Sequence, residues 1–228
     1  MLKIIHGENL VASRKKLTEL IDEAKKKNQE VSSLEAEKLD RAKLEAALLS
    51  ESLFGNEKLL IIESLYSLPK SKKKDEFIDL ISSASIELIL WEKKLLTKTN
   101  LKKFGNDFEN YEFKVSSKLW TFLDQLSANK NNKKALLKIF RESIESDDAE
   151  FVFLMLARQI RLLIQIKENH PPKIAPFMMG KLNSQARTFS LEKLLELHQQ
   201  LYQIDQKQKQ STGLLSLASE LDLFLFNM

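Results

Sequence analysis

Residues 51–63 read Glu51-Ser-Leu-Phe-Gly-Asn-Glu-Lys-Leu-Leu-Ile-Ile-Glu63, and two signals lie back to back in them. Lys58–Ile62 is a continuous apolar run with no polar alternation, the pattern of a strand covered on both faces. Such a strand belongs to the middle of a parallel sheet with helices on either side. The residues before it, Leu53 and Phe54, form an apolar pair followed by Gly55, at the end of a helix that opens at Asp40 and carries Leu44, Ala47, Leu48 and Leu49. A pair in that place either latches its own helix end or faces another molecule.

The same rhythm continues on both sides. Leu2–His6 is a short apolar strand, and Asn9 or Ser13 starts a helix that runs through Lys27. A weaker strand follows near Glu30–Leu34. Phe77, Ile78 and Ile81 mark another helix, Ile86–Trp91 another buried strand, and Tyr111–Val115 a last one. Strands separated by helices require crossover connections, which give a three-layer α/β domain with a parallel sheet.

From Ser116 the two-residue period disappears. Ser116 and Ser117 suit the cap of a helix burying Leu119, Phe122, Leu123 and Leu126. Further helices fit Lys133–Glu145, Ala149–Glu168, Pro176–Phe189, Leu191–Lys209 and Leu214–Phe226, with Pro176 in a first turn and Ser190 as a cap. The expected division is 1–115, α/β, and 116–228, all-α.

Composition narrows the function. The chain has 228 residues, 43% hydrophobic and 30% charged, enough for packed cores rather than disorder. The charge of +4 is evenly spread, 21 basic against 20 acidic residues through Val115 and 15 against 12 after it. Lysines cluster at Lys70, Lys72, Lys73 and Lys74 and at Lys93, Lys94, Lys98, Lys102 and Lys103, with no interleaved aromatic platform for stacking bases. Cysteine is absent, which excludes disulfides and thiol catalysis. The N-terminal apolar run is too short for a signal peptide, and FVFLMLARQIRLLIQI, with Arg158 and Arg161 inside it, falls short of a membrane span. A soluble, cytoplasmic protein is expected.

A parallel sheet invites a search for a nucleotide site. The first strand ends at Gly7, where a phosphate loop G-x-x-x-x-G-K-[ST] would begin, but its later positions hold Ala12, Ser13 and Arg14. After the third strand Glu63 takes the metal-side position, and Ser64 stands where a carboxylate would orient the hydrolytic water. Glu8 and Glu92 are strand-end acids with the chemistry for an acid/base pair. His6, His170 and His198 are scattered without ligand spacing, so neither a metal nor a cofactor is expected.

LFGNEKLLII, LWTFLDQL, ALLKIF, FLMLARQIRLLI, PFMMGKLNSQARTFS and LYQIDQKQK occur in that order, with Gln185-Ala186-Arg187 and the Asp205/Lys209 spacing inside them. In this series the chain resembles the delta subunit of the bacterial DNA polymerase III clamp loader, over nearly its whole length and as a short, minimal member. The resemblance implies an inactive AAA+-like domain followed by a C-terminal helical collar that assembles with other loader subunits. It implies a non-catalytic part of a DNA-directed DNA polymerase holoenzyme, which grips and opens the sliding clamp during DNA replication and works on primer–template DNA within the assembly, with no membrane partner. Leu53 and Phe54 match the family's clamp-binding Leu-Phe pair.

Two departures stand out. EFKVSSKLW passes almost directly from the last strand into the first collar-like helix, leaving out the family's middle helical domain, and KQSTG is two residues longer than the usual ending. Other classes remain open on the residues alone: a nucleotide- or small-molecule-responsive α/β protein, or an interaction module outside replication. Leu53 and Phe54 decide between an ordinary helix latch, closed by Gly55, and an apolar anchor on the clamp.

Overall fold

The structure is a computed structural model that describes residues 1–49, 57–127, 133–170, 172–210 and 213–228. Leu53 and Phe54, the clamp-binding expectation, lie outside the described residues. The chain divides into two compact units, Met1–Lys114 and Val115–Met228.

The first unit is a five-stranded, wholly parallel sheet. Its strands are β1 (Leu2–Gly7), β2 (Glu30–Glu35), β3 (Lys58–Glu63), β4 (Glu87–Glu92) and β5 (Phe108–Phe113), in the order β2-β3-β4-β1-β5. The uninterrupted apolar runs occupy the middle, with Leu60 opposite Leu88 and Ile62 opposite Leu90. Successive side chains alternate between the faces. Ile5, Leu59, Ile61, Ile89 and Trp91 face helix α1 (Leu10–Lys26) through Leu17, Leu20 and Ala24. Ile4, Leu60, Ile62, Leu88 and Leu90 face the other way. They pack on Leu44 of α2 (Arg41–Leu49), on Phe77, Ile78 and Ile81 of α3 (Lys72–Ser82), and on Leu96 and Phe104, which flank the short α4 (Lys98–Lys102). These are the three layers the period predicts.

The edges depart from expectation. The fifth strand spans Phe108–Phe113, not Tyr111–Val115. As an edge strand it is only partly buried, and its alternation with Glu109, Asn110 and Glu112 hides its start. Its end is fixed by β1: the Phe113 carbonyl accepts the Asn9 N–H at 3.1 Å. A Cβ on Gly7 (φ 143°) would stand 2.0 Å from that same carbonyl oxygen, so only glycine closes this crossing. Helix α4, capped by Thr97, carries too few apolar residues to register in the sequence pattern.

The second unit is all-helical: α5 (Ser117–Gln125), α6 (Lys133–Asp147), α7 (Ala149–Lys167), α8 (Pro176–Ala186), α9 (Leu191–Lys209) and α10 (Leu217–Asn227). The long apolar α7 packs against each of the other five helices. Ser116 caps α5 through the Leu119 N–H at 3.1 Å, and buried Asp147 at the end of α6 accepts the Ser116 N–H at 3.0 Å. α10 starts three residues later than its apolar pattern suggests because Ser216 is the cap.

Candidate functional site

In an open parallel sheet, ligands bind beyond the carboxyl ends of the strands. Here that edge gathers Gly7 at the end of β1, Glu8 and Asn9 after it, Glu63 and Ser64 at β3, Trp91 and Glu92 in β4, and Arg14 from α1.

The phosphate-loop position is closed by its connection. Only Glu8 and Asn9 separate β1 from α1, so Ala12, Ser13 and Arg14 already lie within the helix. Asn9 spends its side chain on the cap, accepting the Ala12 N–H at 3.0 Å. Ser13 is buried and donates to the Leu10 carbonyl at 3.2 Å. Neither loop nor hydroxyl is left to cradle a phosphate.

Arg14 emerges one turn into α1 and reaches Glu63. Its Nη1 donates to Oε1 at 3.0 Å and its Nη2 to Oε2 at 2.6 Å, a bidentate fork. The guanidinium lies 3.6 Å above the centre of the buried Trp91 ring. Ser33 Oγ also donates to Glu63 Oε1, at 3.4 Å. The acid in the metal-side position is therefore already neutralised by a cation of the same chain. Arg14 and Trp91, far apart in sequence, are thereby brought into stacking contact.

Ser64 takes a left-handed conformation (φ 62°, ψ 34°) and donates its N–H to the Trp91 carbonyl at 2.9 Å. The main chain thus turns away from the sheet where a catalytic carboxylate would sit. Glu92 is buried, and its Oε1 accepts the Tyr66 N–H at 2.9 Å. Burial raises its pKa to about 7, against partial compensation by the Tyr66 and Leu65 N–H groups and by Lys74 and Lys94. Glu8 is exposed while Glu92 is held inside, so the two acids do not share one environment.

His6 is also buried. Its Nδ1 accepts the Leu96 N–H at 3.1 Å and its Nε2 lies 2.9 Å from Asn110 Oδ1, a pairing that requires the neutral ring with its proton on Nε2. Burial lowers its pKa, in agreement with that form. It is a brace between β1, β5 and the segment after β4. Among the described residues no group of three acidic or histidine side chains converges as a metal site.

The second unit carries a groove of about 820 Å³ lined by α5, α7 and α8, with Trp120, Met155, Leu162 and Met178 in its walls. Trp120 is 37% exposed, so it is not the core residue its type suggests. Beneath the groove Gln185 accepts from Gln159 at 2.6 Å and donates to the Leu123 and Leu126 carbonyls at 2.7 and 2.9 Å, closing the C-terminal end of α5. Asp205 and Lys209 pair along α9 at 2.6 Å. Arg158, Arg161 and Arg187 are exposed, and none makes an ion pair among the described residues. Leu195 and Tyr202 on α9 and Leu223 and Phe226 on α10 also stay exposed.

These features define a parallel α/β unit whose β1–α1 connection is too short for a phosphate loop and whose Glu63 is held by its own Arg14, followed by a helical unit. No protein-family model matches the chain, and no curated protein does. Among solved structures it is similar to Bacillus subtilis DNA clamp loader delta protein (YqeN), at 17% identity and a TM-score of 0.45, over 99% of this chain and 94% of that one. No helix among the described residues is long and apolar enough to cross a membrane.

Proposed function

We propose that the protein is a delta-like subunit of a DNA polymerase III clamp loader, without catalytic activity of its own. In this reading Leu53 and Phe54 grip the sliding clamp and help to open it, and residues 116–228 form the collar that joins other loader subunits. The observation that carries the reading is the Arg14–Glu63 fork on Trp91: it supports a domain built like a nucleotide switch but filled from within. The ordered motif series along the chain supports the family. The groove and the exposed side chains of α9 and α10 support assembly through the helical unit, because apolar surface left bare in this way marks interaction sites. A nucleotide-responsive protein is the reading this geometry disfavours.

The test is clamp binding by the chain with Leu53→Ala and Phe54→Ala. Apolar anchors of this kind cost about 2 kcal/mol or more on truncation, roughly thirtyfold in affinity. The expected result is loss of clamp binding at unchanged stability. Unchanged clamp affinity in a destabilised variant makes the pair a helix latch and removes the residue-level basis for the reading.

A further inference from the structure

The groove of the second unit carries a pattern along α7. Met155, Arg158 and Leu162 all line it, at i, i+3 and i+7, so they form one stripe about 10 Å long. An apolar side chain stands at each end of the stripe, with a cation between them. Trp120 of α5, 37% exposed, and Met178 of α8 belong to the same lining.

The charges of the lining are unequally matched. Asp124 and Lys181 pair with each other at 2.7 Å, joining α5 to α8. Arg158 is exposed and makes neither a hydrogen bond nor an ion pair among the described residues. The groove therefore keeps one uncompensated positive charge among apolar walls.

This chemistry narrows the occupant. The walls are helices, and the Leu123 and Leu126 carbonyls at the end of α5 are already taken by Gln185. An extended peptide would find no ladder of main-chain partners here, whereas a helix satisfies its own backbone. One free cation is too little for a polyanion. Its place midway along the stripe fits a carboxylate flanked by apolar side chains, not an amphiphile with its charge at one end. The polarizable side chains of Met155 and Met178 accept aliphatic and aromatic groups alike.

We propose that this groove binds an amphipathic helix of a partner protein. Two turns of that helix carry apolar side chains at i, i+4 and i+7, and a carboxylate at i+3 that pairs with Arg158. Leu195, Tyr202, Leu223 and Phe226 of α9 and α10 are not in the lining, so the groove is a contact surface apart from theirs. The inference rests on the assembly reading of the helical unit and names what its groove takes. Clamp binding through Leu53 and Phe54 is read in a separate assay, so either can fail while the other stands.

The test is fluorescence anisotropy of the full chain with a labelled alanine- and glutamine-based helical peptide that bears Leu, Glu, Leu and Phe at i, i+3, i+4 and i+7. Saturable binding is expected. Glu→Gln in the peptide and Arg158→Gln in the protein should each weaken it about tenfold, the scale of a hydrogen bond to a charged group. The two together should cost no more than either alone, because they remove the same pair. Arg158→Lys should retain most of the binding, and Trp120→Ala should lose roughly thirtyfold or more. Tyr202→Ser on α9 should leave it unchanged. The Arg158 result stands whether or not the Trp120 variant folds, since Arg158 is exposed and holds no other side chain. The proposal is overturned if the peptide does not saturate the chain, if its glutamine form binds equally well, or if Tyr202→Ser weakens binding as much as Arg158→Gln. Displacement of the peptide by oleate at lower concentration than by unlabelled peptide overturns it in favour of a lipid-like ligand. Self-association of the parent chain that disappears in Arg158→Gln overturns it in favour of a second copy.

Discussion

Glu92→Gln isolates the electrostatic cost of the sheet's buried edge. In the folded chain Glu92 holds its proton up to about pH 7, whereas an ordinary glutamate releases it near 4.5. Between those values the folded state binds more protons than the unfolded state, so stability falls as pH rises through this window. The difference corresponds to about 3 kcal/mol at full expression above pH 7, and it vanishes below about 4.5. For a chain of this size that is roughly 6–12 °C in Tm. Glutamine is neutral at every pH and keeps an oxygen to accept the Tyr66 N–H. The variant should therefore match the parent near pH 4.5 and exceed it progressively to pH 8, measured by urea unfolding. His6 acts in the opposite sense. Its lowered pKa adds stability as pH rises toward 6.5, but it does so equally in both proteins and cancels from their difference. A stability difference that is flat with pH would refute the reasoning, and would mean that the Glu92 carboxylate is held charged by its N–H donors and lysines.

Gly7→Ala should destabilise the first unit by more than about 3 kcal/mol in urea unfolding, because the added methyl meets the Phe113 carbonyl oxygen at 2.0 Å with φ at 143°. Gln185→Ala should cost about 2–4 kcal/mol, since it strips partners from the Leu123 and Leu126 carbonyls; a loss below 1 kcal/mol would mean that water replaces the amide. Arg14→Ala should cost about 1–2 kcal/mol from the half-exposed fork and its stacking on Trp91, yet ATP should still produce no thermal shift, because Glu8 and Asn9 remain the whole connection. A clear shift with ATP in that variant would show that Arg14 alone excludes nucleotide.

Periodicity was informative wherever burial was complete. KLLIIE reads as a doubly covered strand because both faces are apolar, and α9 begins and ends where Ser190 and the run to Lys209 place it. Legibility failed where burial is partial: β5 is an edge strand, and α4 has no buried residue to set a period. The site was legible only in part. The failed phosphate-loop spacing singles out Arg14, but nothing local names its partners, which come from β3 and β4 and meet it only after two crossovers. The motif Gln185-Ala186-Arg187 was visible as a pattern, while the reason for its first residue, two carbonyls at the end of α5, exists only in the packed bundle.

The Arg14–Glu63 fork has a consequence for how this domain takes part in work. A bound nucleotide biases a domain by leaving, by arriving and by being cleaved, and its influence scales with concentration and with its differential affinity for two shapes. The guanidinium on Glu63 is tethered by its own helix, so its local concentration never changes and it has nothing to release. Such a domain has no internal clock. On the proposed loader reading, any movement of the domain is timed by the subunits that hold it. In an assembly of active neighbours it would serve as the fixed arm against which their strokes are delivered.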